Sequence, residues 1–140
     1  MQTLPPALLQ TLATLPGNLR GHIQRARSLA REMARALGVD LYRADLAAAG
    51  HDITRAEPQE SLLREARRRG LPVHLVEERY PLLLHGPVAA ARLQEMGVTD
   101  EEVLEAVRWH STGHPGLGAL GKVVFLADKL ETGKASREPW

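Results

Sequence analysis

LRGHIQRARSLAREMARAL, residues 19–37, decides the fold class. Ile23, Ala26, Ala30, Met33, Ala34 and Leu37 recur every three or four residues, a spacing that gathers them on one side of an α-helix and would scatter them over both faces of a strand. Gly38 ends the run. His22 stands beside this apolar stripe. The same punctuation continues in both directions. Leu8–Leu15 reads as a short opening helix closed by Pro16-Gly17. Leu41–Ala49 is an alanine-rich helix that stops at Gly50. Pro58 opens a charged helix through Arg69, with Gly70 as its stop. His85–Met96 is a helix broken by Gly97. Thr99, with Glu102 three residues later, reads as a capping box for a helix that ends near His110. Leu120–Leu130 follows the loop Ser111–Gly118. No alternating strand pattern, internal repeat or low-complexity segment interrupts this series. The expectation is an all-α fold: one compact helical bundle over residues 1–140.

Composition sets mild bounds. A chain of 140 residues is long enough to bury a real core. A formal net charge of +1 leaves no broad basic surface for a nucleic acid polymer. Cysteine is absent, so disulfides and thiolate metal sites are excluded, which fits a reducing, cytoplasmic setting. MQTLPPALLQTLATLPG lacks a basic start followed by an apolar run and does not read as a signal peptide. No apolar stretch approaches the roughly 18–20 residues that span a membrane. Aromatic residues make up 4% of the chain, too few for a platform that stacks single-stranded nucleic acid. A homodimer is neither required nor excluded.

The chemistry is carried by six residues taken in order: His22, His51-Asp52, His85, His110 and Asp128. Several extend apolar faces. Val103 and Val107 lead at helical spacing to His110. Leu120, Val124 and Ala127 share a face, with Asp128 one residue past it. His85 lies three and four residues before Val88 and Ala89. An ionised Asp on a core face costs several kcal/mol unless it is paired or ligates a metal. A lone histidine there is commonly a hydrogen-bonded core residue, and a lone His-Asp pair often arises by chance. Five or six such residues from separate helices point instead to one internal site. Imidazole and carboxylate donors without sulfur suit one or two ions of iron, manganese or zinc. That donor set fits metal-assisted hydrolysis of a phosphate ester or anhydride. Other polar residues read more plainly. His74 falls in a loop or short turn, Asp45 reads as a surface charge, and Arg67–Arg69 as a solvated helix end that complements the helix dipole. His114 is a candidate extra ligand or substrate contact on a loose Ser-Thr-Gly stretch, although a solvated loop histidine is the commoner outcome.

The order His, His-Asp, Asp resembles the HD-domain superfamily of metal-dependent phosphohydrolases. Within it, AAAGHDITR (47–55), LLLHGPVAA (82–90) and AVRWHSTGHPGLGALGKVVFLADKLE (106–131) look like the bacterial symmetrical diadenosine tetraphosphate hydrolases of the YqeK family. The resemblance implies an all-helical bundle around a two-metal site, with iron as the expected metal, that cleaves diadenosine tetraphosphate to two ADP by a metal-activated hydroxide. It implies His22, His51, Asp52 and Asp128 as ligands of a first metal. His85 and His110 become ligands of a second, with Asp52 bridging. Asp52, Arg55 and Lys122 are the implied catalytic residues. Arg55, Ser111, Thr112, Gly113 and Lys122 are the implied contacts to the polyphosphate. Arg55 stands where the family usually has lysine, which keeps the charge but changes its geometry. Arg20 lies two residues before His22, where the family often has an arginine a full turn earlier. TGKASREPW (132–140) reads as the start of a further helical element that family members continue. Two alternatives stay open: an HD phosphohydrolase acting on another nucleotide, and a metal-dependent nucleotide-binding module without turnover. The GYP signature of cyclic dinucleotide phosphodiesterases is absent.

Overall fold

The computed structural model describes residues 2–131, and the C-terminal stretch TGKASREPW lies outside them. Among the described residues eight α-helices follow one another: α1 (Pro6–Thr14), α2 (Gly17–Leu37), α3 (Leu41–Gly50), α4 (Gln59–Arg68), α5 (Leu75–Arg79), α6 (His85–Glu95), α7 (Glu101–Arg108) and α8 (Ala119–Leu130). A 3-10 turn, Pro81–Leu84, leads into α6. The described residues contain no strand, and none of their helices is long and apolar enough to cross a membrane.

The main core is centred on α2, α3, α7 and α8, with Leu8 and Leu12 of α1 and Ala89, Ala90 and Leu93 of α6 completing it. Its centre is unusually small in side-chain volume. Ala26, Ala30 and Ala34 of α2 and Ala44, Ala47 and Ala48 of α3 are all buried. Small residues on facing stripes let the two backbones approach closely, which brings His22 of α2 against the end of α3. Two expectations for the α2 stripe need correction. Met33 is only partly buried against the core, and Leu37 is 64% exposed. The helix ends at Gly38, in the left-handed region (φ 72°), and Arg35, Ala36 and Leu37 before it are exposed.

The start of α7 also differs from expectation. Asp100, not Thr99, is the N-cap, and its carboxylate accepts from the Glu102 and Val103 backbone N–H groups. The same carboxylate receives Nε and Nη2 of Arg43 at 2.6 and 2.8 Å, a contact from α3 that favours Asp100 over its neighbour. Asp45 and Arg69 are likewise not idle surface charges. Asp45 is bracketed by Arg27 and Arg31 of α2. Arg69 bonds Glu65 and Glu95.

A second, smaller apolar cluster of Leu62, Ala66, Leu84 and Val88 joins α4 to α6. Above it lies an ion-pair network centred on Arg92 of α6. Arg92 donates to Glu65 of α4 and to both carboxylate oxygens of Glu57, just beyond the turn that follows His51-Asp52. Arg92 holds the Glu65 carboxyl down to about 2, against the desolvation that would raise it, with Arg69 assisting. A carboxyl whose folded pKa lies below its unfolded value near 4.5 stabilises fully above that pH, and the stabilisation fades as pH falls toward about 2. Glu65→Gln is therefore expected to cost roughly 2–3 kcal/mol at neutral pH. The gap from wild type should narrow steadily below about pH 4.5. Urea unfolding at several pH values measures it, and a pH-independent gap would reject this assignment.

Candidate metal centre

Helix ends assemble the site. His51 follows the last residue of α3, with Asp52 next in a tight turn. His85 opens α6, His110 follows the end of α7, and Asp128 lies in the last turn of α8. His22 alone comes from mid-helix. All six residues are buried, none more than 4% exposed.

Their polar atoms fall into two groups that share Asp52. One contains His22, His51, Asp52 and Asp128, the other Asp52, His85 and His110, with potential ligand atoms in each group within 4.8 Å of one another. The two oxygens of Asp52 divide between them. Oδ1 lies 3.2 and 3.1 Å from Nε2 of His85 and His110. Oδ2 lies 3.1 and 3.5 Å from Nε2 of His22 and His51. Asp128 Oδ1 lies 3.0 and 3.4 Å from those same two nitrogens.

The ring orientations indicate what this cage accepts. Nδ1 of His51 meets the Ala48 carbonyl at 2.5 Å, Nδ1 of His85 the Leu82 carbonyl at 2.6 Å, and Nδ1 of His110 the Val107 carbonyl at 2.7 Å. A carbonyl can only accept, so each Nδ1 carries a proton and the neutral ring presents an Nε2 lone pair to the interior. Yet Nε2 of His85 is 3.0 Å from Nε2 of His110, and Nε2 of His22 is 3.3 Å from Nε2 of His51. Lone pairs facing each other and facing carboxylate oxygens repel. Asp52 Oδ2 makes no hydrogen bond among the described residues, although it is fully buried. Such an atom costs free energy unless a cation meets it. The donor set fits divalent metal ions on both sides of Asp52.

The electrostatics state the same demand. Burial lowers the pKa of His22, but the carboxylates of Asp128, Asp52 and Glu131 overcome it and raise the ring to about 10, so the cage draws positive charge to Nε2, as a proton where no cation takes that place. His51 is also raised against its burial, by Asp52 and Asp128. At His110 burial prevails and the pKa falls. Burial pushes the Asp52 and Asp128 carboxyls up, yet the surrounding imidazoles hold both well below the usual carboxylate range. Two ionised carboxylates in a buried cage require positive charge beside them.

The remaining candidates surround this centre unevenly. Arg55 is half-buried one turn after Asp52, and its guanidinium has no ion pair among the described residues. Lys122 is exposed on α8. Ser111 is half-buried and Thr112 exposed. The Gly113 backbone N–H is already given to the Trp109 carbonyl at 2.8 Å. His114 stands apart from the cage, tilted against Trp109 with ring centroids 4.8 Å apart and accepting from the Gly116 N–H. Arg20 donates to the Ala13 carbonyl of α1. His74 is exposed at the start of α5.

Three contacts around the cage were not singled out from sequence. Thr54 Oγ1 donates to the His85 carbonyl at 2.8 Å and ties the turn after His51-Asp52 to the start of α6. Lys129 Nζ lies 3.0 Å from Asp128 Oδ2 and 3.4 Å from the His110 carbonyl. Glu131 receives both His22 and Arg25. A sequence signal for the last existed. Glu131 lies three residues after Asp128 and Arg25 three after His22, spacings that share a helix face.

Comparison with known proteins agrees with this geometry. The HD domain model matches residues 19–133. The symmetrical bis(5'-nucleosyl)-tetraphosphatase of Bacillus subtilis (strain 168) is 37% identical over 115 residues, covering 81% of this chain and 61% of that protein. Its namesake from Staphylococcus aureus (strain NCTC 8325) is 31% identical over 121 residues, covering 86% and 62%. The chain thus spans about three-fifths of the length of these relatives. A crystal structure of a predicted HD superfamily hydrolase involved in NAD metabolism, from Clostridium acetobutylicum, superposes with a TM-score of 0.86 at 26% identity. It covers 91% of this chain and 68% of that one. With the fold, the order of its buried histidines and aspartates and the family match in agreement, the chain belongs to the HD domain family.

Proposed function

We propose that this chain is a phosphohydrolase that cleaves diadenosine tetraphosphate symmetrically to two ADP in the cytoplasm. The observation that carries the reading is Asp52, whose two oxygens face two separate sets of imidazole lone pairs. The names of the relatives supply the substrate class. His22, His51, Asp52 and Asp128 would hold one cation, and Asp52, His85 and His110 the other, with iron the proposed metal and manganese or zinc compatible with the same donors. Bound there, the cations supply Lewis acidity that makes water nucleophilic near neutral pH and polarises the phosphoryl oxygens.

The protein's own groups do the rest. Arg55 and Lys122 supply positive charge to the polyphosphate, and Arg55 is placed for it because no carboxylate among the described residues neutralises it. Ser111 and Thr112 offer hydroxyls at the same loop. The Gly113 N–H, engaged with Trp109, would have to leave its turn to join them. No buried acid is needed for the departing group, because ADP leaves readily as an anion.

Diadenosine tetraphosphate is therefore expected to give ADP as the sole nucleotide product. In 18O-water, the label should enter one of the two ADP molecules. Equal ATP and AMP would mean attack at an outer phosphorus and would overturn the symmetric reading. Rapid turnover of a mononucleotide, with none of the dinucleotide, would replace this substrate by another nucleotide.

A further inference from the structure

The four imidazoles of the centre are not oriented alike. His51, His85 and His110 each use a peptide carbonyl three residues back, and each stands at a helix boundary where carbonyls have capacity to spare. His22 lies within the long helix α2, whose carbonyls are engaged along its length. Its Nδ1 instead meets Oε1 of Glu131 at 3.0 Å. The other oxygen of Glu131 receives Arg25 Nε at 2.7 Å. Glu131 is 1% exposed. A carboxylate buried to that degree is costly unless well partnered. One account is a salt bridge that pins the end of α8 to α2. Arg25 alone would suffice for a pin, whereas the second oxygen of Glu131 is aimed at a ring of the metal cage.

We propose that Glu131 is a positioning residue that makes the half of the centre formed by His22, His51, Asp52 and Asp128 the tighter, first-filled metal site. The proposal rests on the two-metal reading above. An anionic acceptor on Nδ1–H fixes the tautomer and strengthens Nε2 as a ligand more than a neutral carbonyl does. Among the described residues, the His85–His110 half has no such partner and a single carboxylate, Asp52. The first half owes part of its advantage to Asp128, and substitution at Glu131 measures the other part.

The test is a titration of the metal-free full chain with Mn2+, following the free ion by electron paramagnetic resonance. Wild type should bind in two steps. Glu131→Gln should weaken the tight step roughly 10- to 100-fold and leave the weak step within about threefold. Circular dichroism checks that the variant is folded. A structural pin predicts otherwise: both steps weakened together, or neither, with a lower melting temperature, and either result overturns the proposal. If Glu131→Gln does not fold, Arg25→Met carries the test. It removes the Arg25 contact but leaves the carboxylate on His22, so the tight step should persist, and its loss would count against Glu131. Nucleotide turnover does not enter these readouts, so the choice of substrate can fail without affecting them. A single binding step in wild type would remove the two-metal reading and this proposal with it.

Discussion

Asp52→Ala is expected to abolish the proposed hydrolysis and to strip the protein of both proposed metals. The carboxylate is the one group whose atoms face both halves of the cage, Oδ1 toward His85 and His110 and Oδ2 toward His22 and His51. Removing it leaves the His85–His110 half without any carboxylate and the other half with Asp128 alone. Activity should fall by at least about a thousandfold, some 4 kcal/mol of transition-state stabilisation. Metal content of the purified protein, measured by inductively coupled plasma mass spectrometry, should fall with it. Asp52→Asn guards against a packing artefact: it keeps the shape, loses the charge and should fail in the same way. Arg55→Ala marks the contrast. It should keep both metals and lose roughly ten- to a hundredfold in kcat/KM, the size of one charge-assisted contact. Full metal content in folded Asp52→Ala would refute the shared-ligand role.

That contrast also marks how far the sequence alone can be read. The helices were legible because apolar residues recur at a period of three to four and glycine or proline closes each run. The segment between α4 and α6 was not. Leu75, Val76 and Tyr80 are apolar but exposed, so α5 leaves no buried stripe to detect. Thr99 and Asp100 are adjacent, chemically plausible caps, and Arg43, remote in sequence, favours Asp100. The six cage residues were legible because ionisable groups extended faces that otherwise turn inward. Their orienting partners were harder to see. Carbonyls of Ala48, Leu82 and Val107 have no side-chain signature, since any residue could supply them. Glu131 looks on sequence like one more charged residue near a helix end, and its role depends on α8 lying against α2.

The small residue after His85 shows how the fold and the centre depend on each other. A Cβ added at Gly86 would lie 2.6 Å from the Arg108 carbonyl oxygen and 3.1 Å from that of Val107. Both obstacles are backbone at the end of α7, so neither can rotate away. Gly86 thus sets how closely α6 approaches α7, and that approach puts Nε2 of His85 3.0 Å from Nε2 of His110. Gly86→Ala must push the helices apart and draw the two rings off Asp52. Overpacking of this kind costs about 1–3 kcal/mol, and a rigid obstacle argues for the upper end. The melting temperature should drop by roughly 10 °C. Metal content should fall from two ions to one, because the ligands of the other half, His22, His51 and Asp128, do not come from α6 or α7. Gly50→Ala is the matched control. Its added Cβ meets Leu93 Cδ1 and Cδ2 at 2.6 and 2.9 Å, but these are side-chain methyls, which give more readily than a backbone carbonyl. It should cost less and keep both metals. A Gly86→Ala protein that melts like wild type and binds two metals would show that close approach of α6 to α7 is not what builds the second half of the centre.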